Sequence, residues 1–266
     1  MKAVILAGGR GKRLGTQEKG TLKPLTDIGG SSLLFRVMEI FYTQGVDEII
    51  VALGFRAADL LESLEREIPW KRDSFKHDRP GLASAALETP RSEVVRVVFA
   101  DTGPETATAG RLRRLAPLVG PEGTFFMTYC DGLANIDLGS LLKWHHSHGK
   151  LATVTAVRPP ERFGILELQG DSVVSFREKP LEDHRWINGG YFALEGAVLD
   201  LIPGDDTSWE KNTLAELART GQLMARRHEG FWACLDTHKD REELERILRE
   251  NETPPWLSIE TGVTTP

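Results

Sequence analysis

Cysteine is nearly absent from this chain: 266 residues hold two, Cys130 and Cys234. They form neither a C-x-x-C pair nor a zinc-ligand spacing, which argues against a disulfide framework and against a thiol redox motif. A reducing, cytoplasmic setting is the plain expectation. No apolar run approaches the roughly 20 residues of a membrane span. The short apolar stretch at 3–7 ends in glycines rather than in a cleavage site, so it does not read as a signal peptide. Positive charge is not in excess: 33 Lys and Arg against 39 Asp and Glu leave a net charge of -6. No overall basic field therefore draws the protein to nucleic acid or to an anionic membrane. Internal repeats are missing, and so is the G-x-x-x-x-G-K-[ST] phosphate loop. What remains is ordinary globular composition, 40% hydrophobic and 27% charged, long enough for one large core.

The most informative stretch is the N-terminal one. Residues 3–7 read as a buried strand that breaks into Gly8-Gly9-Arg10-Gly11-Lys12-Arg13-Leu14. Glycines let backbone N–H groups close on phosphate oxygens, and the cations add point and fork charges. A further cation follows in Leu22-Lys23-Pro24-Leu25. A strand-end nest with a placed lysine a short loop away has the chemistry of a nucleoside triphosphate site. It is a poor dinucleotide fingerprint, because the third glycine slot of G-x-G-x-x-G is unfilled. A tight turn with surface charge is the bland alternative; the ordered set of strand, cations and Lys23-Pro24 weighs against it.

Along the chain, apolar runs alternate with amphipathic segments. Strands are expected at 3–7, 48–53, 93–100, 124–129 and 151–157, and helices at 33–44, 57–66, 110–118 and 138–148. This order implies an α/β fold with a mostly parallel, Rossmann-like sheet flanked by helices, whose ligands lie beyond the carboxyl ends of the strands. After about residue 158 the pattern turns to short strands: 165–169 and 172–177 around Gly170-Asp171 as a hairpin, then 186–194, 224–229 and 231–235. Helices are expected at 197–202, 209–220 and 238–250, the last with a Thr237/Asp240 capping box. One domain over 1–250 is the expectation, with halves 1–157 and 158–250, and 251–266 as a loose tail.

Asp131 and Asp236 each follow an apolar strand-like run, which makes them candidate metal ligands; a turn or helix cap is the plainer role for either alone. His145, His146 and His148 share a helix, but no third ligand is evident at the right spacing, and a solvated face is the better reading. Trp186, Trp209 and Trp232 read as core more readily than as sugar platforms.

Taken in order, Met1–Gly9 in the strand and loop, Gly11-Lys12-Arg13-Leu14, Lys23-Pro24, Asp101-Thr102-Gly103, Gly110-Arg111-Leu112-Arg113-Arg114, Asp131-Gly132, Glu178-Lys179-Pro180, Trp186-Ile187-Asn188-Gly189-Gly190 and His228-Glu229-Gly230-Phe231-Trp232 resemble the sugar-1-phosphate nucleotidyltransferases, and among them the glucose-1-phosphate cytidylyltransferase branch. The resemblance implies a nucleotidyltransferase fold of glycosyltransferase-A type with a smaller mixed-β, sugar-binding C-terminal part. It implies transfer of a cytidylyl group from CTP to a sugar 1-phosphate, with Mg2+ held by Asp131 and Asp236, and an oligomer, a hexamer, with the nucleotide near a subunit contact. Arg13 and Lys23 would neutralise the triphosphate. Leu6, Ala7, Gly8, Gly9, Gly11, Lys12, Thr106, Arg111 and Cys130 would surround the nucleotide, Arg111 donating to the base. Glu178, Lys179, Asn188 and Gly189 would take the sugar phosphate. The chain departs from the family pattern at Lys12, at Thr21-Leu22, at Ala109 and at Cys130. The last two add side-chain bulk where a glycine would let a ligand approach. A uridylyl- or thymidylyltransferase, a cytidylyltransferase for another phosphorylated acceptor, and a non-catalytic nucleotide-sugar sensor are the alternatives.

Overall fold

Apolar runs without alternation become strands buried on both faces, and here they form the middle of one sheet. The structure, a computed structural model, describes residues 1–9, 22–90, 93–159, 165–177 and 185–259. In chain order the strands are β1 (Lys2–Leu6), β2 (Glu48–Leu53), β3 (Lys76–Arg79), β4 (Leu82–Glu88), β5 (Val94–Asp101), β6 (Thr124–Tyr129), β7 (Gly132–Ala134), β8 (Ala152–Val157), β9 (Ile165–Gln169), β10 (Ser172–Arg177), β11 (Ile187–Glu195), β12 (Leu223–Arg227) and β13 (Trp232–Cys234). The α-helices are α1 (Leu33–Tyr42), α2 (Ala57–Glu67), α3 (Thr108–Arg114), α4 (Ala116–Val119), α5 (Leu138–His148), α6 (Leu214–Arg219) and α7 (His238–Glu250).

Nine strands form the main sheet in the order β12-β8-β11-β6-β1-β2-β5-β4-β3. β1, β2, β5 and β6 are mutually parallel, and β12 is parallel to β8. β11 runs against both β6 and β8, and β4 against both β5 and β3. The sheet is therefore mixed in pairing, although only β4 and β11 oppose the common direction. The Rossmann-like reading holds, with this refinement: the span between α2 and β5 contains a hairpin, β3–β4, that periodicity did not reveal. β3 is Lys-His-Asp-Arg, exposed throughout, so it carries no apolar signal.

Two hydrophobic clusters cover the two faces. One joins α1, α2 and α7 to one side of the sheet through Ile5, Phe41, Val51 and Leu244; the other joins α3, α4 and α6 to the opposite side through Val4, Ile50, Leu112 and Leu217. Smaller ribbons carry the rest. β9 and β10 form the expected antiparallel hairpin, with Gly170 at φ +61 between them. β7 pairs with β13, Gly132 opposite Cys234 and Ala134 opposite Trp232.

Three local expectations change. The segment 209–220 is a single π turn, Trp209–Thr213, running into α6. The segment after Asn251 is not loose as far as it is described: Trp256 is fully buried against Phe231, and Asn135 Nδ2 donates to Ser258 O at 3.0 Å. An indole followed by a 3-10 turn supplies enough apolar surface to dock a short terminal segment. The histidines of α5 form a solvated face only in part: His146 is exposed and His148 half-buried, but His145 is buried. His145 is 1% exposed because it lies one and two turns beyond the buried Leu141 and Leu138, on the face that packs against the sheet. The Thr237/Asp240 capping box is formed, with Asp240 N donating to Thr237 Oγ1 and Thr237 N to Asp240 Oδ2.

Candidate active site

Parallel strands bring their carboxyl ends to one edge of the sheet, and most of the described candidate residues gather there. β1 and the residues after it deliver Leu6, Ala7, Gly8 and Gly9; β6 and the residues after it deliver Tyr129, Cys130 and Asp131; the loop after β5 delivers Thr106 and Ala107, and α3 opens with Thr108. With Lys23, Pro24, Arg111 and Asp236 they line a cavity of about 410 Å³. Of the nucleotide-site expectations, Leu6, Ala7, Gly8, Gly9, Thr106, Arg111 and Cys130 thus come together at one cavity with Lys23, Asp131 and Asp236. Gly11, Lys12, Arg13, Glu178 and Lys179 lie outside the described residues. Asn188 and Gly189 begin β11 at the same edge but do not line this cavity.

The chemistry concentrates where the ribbon meets the sheet. β6 runs out into Asp131 and then β7; β13 runs antiparallel to β7, and Leu235 N donates to Asp131 O at 2.8 Å. That pairing sets Asp236 beside Asp131 across a long sequence separation. Lys23, held on a 3-10 turn whose next residue is Pro24, reaches between them. Its Nζ donates to Asp131 Oδ2 at 2.9 Å and to Asp236 Oδ1 at 3.0 Å. Burial alone would lower the Lys23 pKa, but the charge and hydrogen bonds of the two aspartates outweigh it, and the net shift is upward. Cys234 Sγ belongs to the same group: ligand atoms of Asp131, Cys234 and Asp236 all lie within 4.8 Å of one another. Burial first, then the two carboxylates, push the Cys234 thiol up to about 12.

Arg111 organises the opposite wall. It is 5% exposed, which removes the surface-charge reading. Its Nη1 donates to Leu53 O at 3.0 Å, Thr102 Oγ1 at 2.7 Å and Gly103 O at 2.8 Å, and its Nη2 to Gly8 O at 3.0 Å. One guanidinium therefore ties the ends of β1, β2 and β5 together. Burial pulls its pKa down, but a guanidinium stays charged in this range. A Cβ on Gly8 or on Gly54 would strike this group, so both glycines serve close approach rather than a turn.

Neighbouring details correct the expectation for one departure and add residues that sequence reading missed. Ala109 is fully buried in the core cluster with Leu6 and Leu112, so its methyl group fills core rather than the cavity. The adjacent Gly110 is constrained instead: a Cβ there would strike the Asp205 backbone. Cys130 does line the cavity, and burial raises its thiol pKa well above the ordinary range. Glu210 holds two walls. Its Oε1 accepts from Tyr129 Oη at 2.8 Å and its Oε2 from Thr108 Oγ1 at 2.9 Å. Burial would raise the Glu210 pKa, but these hydrogen bonds, with those from Ser208 and its own backbone, hold it below the ordinary value. An acid after a tryptophan carries no pattern of its own, so only the three-dimensional packing reveals this role.

Gly189 and Gly190 let β11 pass between β8 and Tyr129, where a Cβ would crowd Val157 and Thr155 O or the Tyr129 ring. Trp232 Nε1 donates to Gly189 O at 2.8 Å. Trp209 is core, as expected, whereas Trp186 is half-buried with the Arg158 guanidinium 4.1 Å from its ring centroid.

No helix among the described residues is long and apolar enough to cross a membrane. Residues 2–246 match the family model for nucleotidyl transferase. The glucose-1-phosphate cytidylyltransferase of Salmonella typhi is 39% identical over 262 residues, covering 98% of this chain and all of the relative. The catalytic subunit beta of mannose-1-phosphate guanylyltransferase from Xenopus tropicalis is 29% identical, covering 98% of this chain and 69% of that protein. Among solved structures, HddC from Yersinia pseudotuberculosis superposes with a TM-score of 0.67 at 24% identity, covering 92% of this chain and 98% of that one, which is agreement in fold. The chain therefore belongs to the nucleotidyl transferase family, and within it to the enzymes that transfer a nucleotidylyl group to a sugar 1-phosphate.

Proposed function

We propose that this enzyme takes CTP and a sugar 1-phosphate, glucose 1-phosphate foremost, and releases a CDP-sugar and pyrophosphate. Full-length similarity to a glucose-1-phosphate cytidylyltransferase supports that choice of substrates. The observation that carries the site assignment is the Lys23 ammonium between Asp131 and Asp236 at the wall of the strand-end cavity.

The nucleophile is an oxygen of the sugar phosphate, which is already ionised at neutral pH. No catalytic serine, cysteine or general base is needed. That oxygen attacks the α-phosphorus of CTP, a new P–O bond forms, and the bond to the β-phosphate breaks in line. The barrier lies in bringing one anion onto another, so the enzyme's work is positioning and charge neutralisation. Gly8 and Gly9 keep the end of β1 low enough for a nucleotide to approach. Arg111, by holding Gly8 O, Leu53 O and Gly103 O, keeps those strand ends in one arrangement. Lys23 would turn its ammonium from the aspartates to the triphosphate. Arg13 is assigned to the same anion, and Glu178, Lys179, Asn188 and Gly189 to the sugar phosphate, with residues 158–250 as the sugar-binding half.

Asp131 and Asp236 fit Mg2+, which takes hard oxygen ligands and usually only one or two carboxylates besides phosphates and waters. Bound there, Mg2+ would supply neutralisation of charge on the phosphate oxygens. The homo-oligomer, hexameric in arrangement, belongs to the same proposal. It draws support from the β9–β10 hairpin, on which Leu166, Val173, Val174 and Phe176 are exposed, an apolar surface that a second copy would cover. Light scattering showing a single 29.6 kDa species would remove it.

A pyrophosphate-release assay tests the activity, with CTP, UTP and dTTP each offered against a panel of sugar 1-phosphates. CTP with glucose 1-phosphate is expected to give the highest kcat/KM. Equal or better turnover with dTTP would sink the cytidylyl assignment.

A further inference from the structure

The Asp131–Asp236 pair has a third donor that a magnesium site does not require. Cys234 Sγ and one oxygen of each carboxylate lie within 4.8 Å of one another. Backbone geometry places the thiol there. Cys234 and Asp236 are two residues apart, and Cys234 sits opposite Gly132, next to Asp131, in the β7–β13 ribbon. The same spot already holds a positive charge, because Lys23 Nζ donates to both carboxylates. A metal bound by one sulfur and two oxygens at ordinary zinc distances needs its ligand atoms about 3.5 Å apart. Side-chain rotation over roughly an ångström closes the present group to that spacing.

We propose that Cys234 makes this a dual-preference metal site: hard Mg2+ uses the two carboxylates with substrate oxygens and water, whereas thiophilic divalent cations such as Zn2+, Co2+ and Cd2+ bind the carboxylates and the Cys234 sulfur together. Softness decides the difference, since thiolate favours the later divalent metals and adds nothing for magnesium. On binding, the Cys234 S–H bond breaks, its proton passes to solvent, the sulfur–metal bond forms and a metal-bound water leaves. No electron is transferred. Lys23 yields its place between the carboxylates to the incoming cation. The inference rests on the metal-site reading given above, but it concerns this chain's own thiol and is tested without turnover.

Co2+ titrated into the nucleotide-free, full-length protein should give a near-ultraviolet thiolate-to-cobalt charge-transfer band, and Mg2+ should give none. The chain has only two cysteines, so Cys130→Ser leaves Cys234 as the sole thiol and should keep the band. Cys234→Ser and Cys234→Ala should abolish it. Asp236→Asn, which keeps the thiol but removes a carboxylate, should shift the titration to higher Co2+. Absence of a band from both the wild-type and Cys130→Ser proteins overturns the proposal, and so does a band that survives in Cys234→Ser. The two readings fail separately. Mg2+-supported turnover that depends on Asp131 and Asp236 without any thiolate band overturns only the role of the thiol. A thiolate band in a protein without turnover overturns only the catalytic reading.

Discussion

The two edges of the sheet each hold a polar cluster, and they differ in openness. At the carboxyl edge, Lys23 joins Asp131 and Asp236, whose side chains remain 34% and 26% exposed beside a cavity. At the amino edge, His145 is fully buried: Nδ1 meets Thr153 Oγ1 at 2.8 Å and Nε2 meets Glu195 Oε1 at 2.9 Å. His148 shares the same threonine, and Thr124 links His146 to Glu195. Three histidines and a glutamate are the denser set of titratable groups. Their partners are consumed internally, however, so they fix α5 onto the start of β8 and the end of β11. The lesson is that density of titratable groups does not mark a site; partly exposed charges lining a cavity do.

If that contrast is right, the largest effects fall at the open cluster. Asp131→Ala or Asp236→Ala should lower turnover by at least about a hundredfold, the scale for removing one preorganised charge-stabilising group. Circular dichroism should stay native, because both side chains are partly exposed. A variant that keeps near-normal rates in Mg2+ would take that residue out of the metal site.

Lys23→Ala sharpens the comparison from the other side. Removing the ammonium takes one positive charge from beside the two carboxylates, which raises their attraction for a cation. Turnover should fall with a higher KM for the triphosphate, while Mg2+ raises the thermal midpoint of the variant more than that of the wild type. Opposite movement of the two readouts is the signature. A loss of both would mean that Lys23 builds the metal site rather than guarding it.

Arg111 lies at the open edge yet is as closed as the histidine cluster. Lys in its place keeps the charge but not the fork, so Gly8 O, Leu53 O and Gly103 O could not all keep their bonds. Arg111→Lys should cost about 2–3 kcal/mol of stability, as buried acceptors lose partners. Urea unfolding measures it, and an unchanged midpoint would reject the strand-tying role.

Much of this was legible in the chain itself. Strands at 48–53 and 124–129 and helices at 138–148 and 238–250 coincide with the structure, because each is a long apolar or amphipathic period bounded by turn or cap residues. β3 and β7 were not legible: one is wholly polar and the other three residues long, so their pairing is set by neighbours rather than by local pattern. Asp131 and Asp236 could be named separately, but their meeting depends on the β7–β13 ribbon, which no local period encodes. Glu210, and Ala109's place in the core, are likewise products of long-range packing.

The smallest expected effect tests the closed cluster. Burial, the largest influence on His145, lowers its pKa; Glu195 opposes through a hydrogen bond and charge, the neighbouring His148 and His146 add to the lowering, and the net direction is down. Between the depressed folded value and the unfolded value of about 6.5 the unfolded chain binds more protons. Stability is therefore complete above about 6.5 and declines as pH falls below it. His148 shifts the same way, again through burial first and then Lys150. Scanning from about pH 7.5 to 5.5, above the ordinary carboxylate range, should lower the thermal midpoint by a few degrees. His145→Gln, which can still hydrogen-bond Glu195 or Thr153, should flatten that decline while starting from a lower midpoint. Stability that rises on acidification would give Glu195 the larger weight, make the imidazole a proton acceptor in the folded state, and break the distinction between a closed edge and an open one.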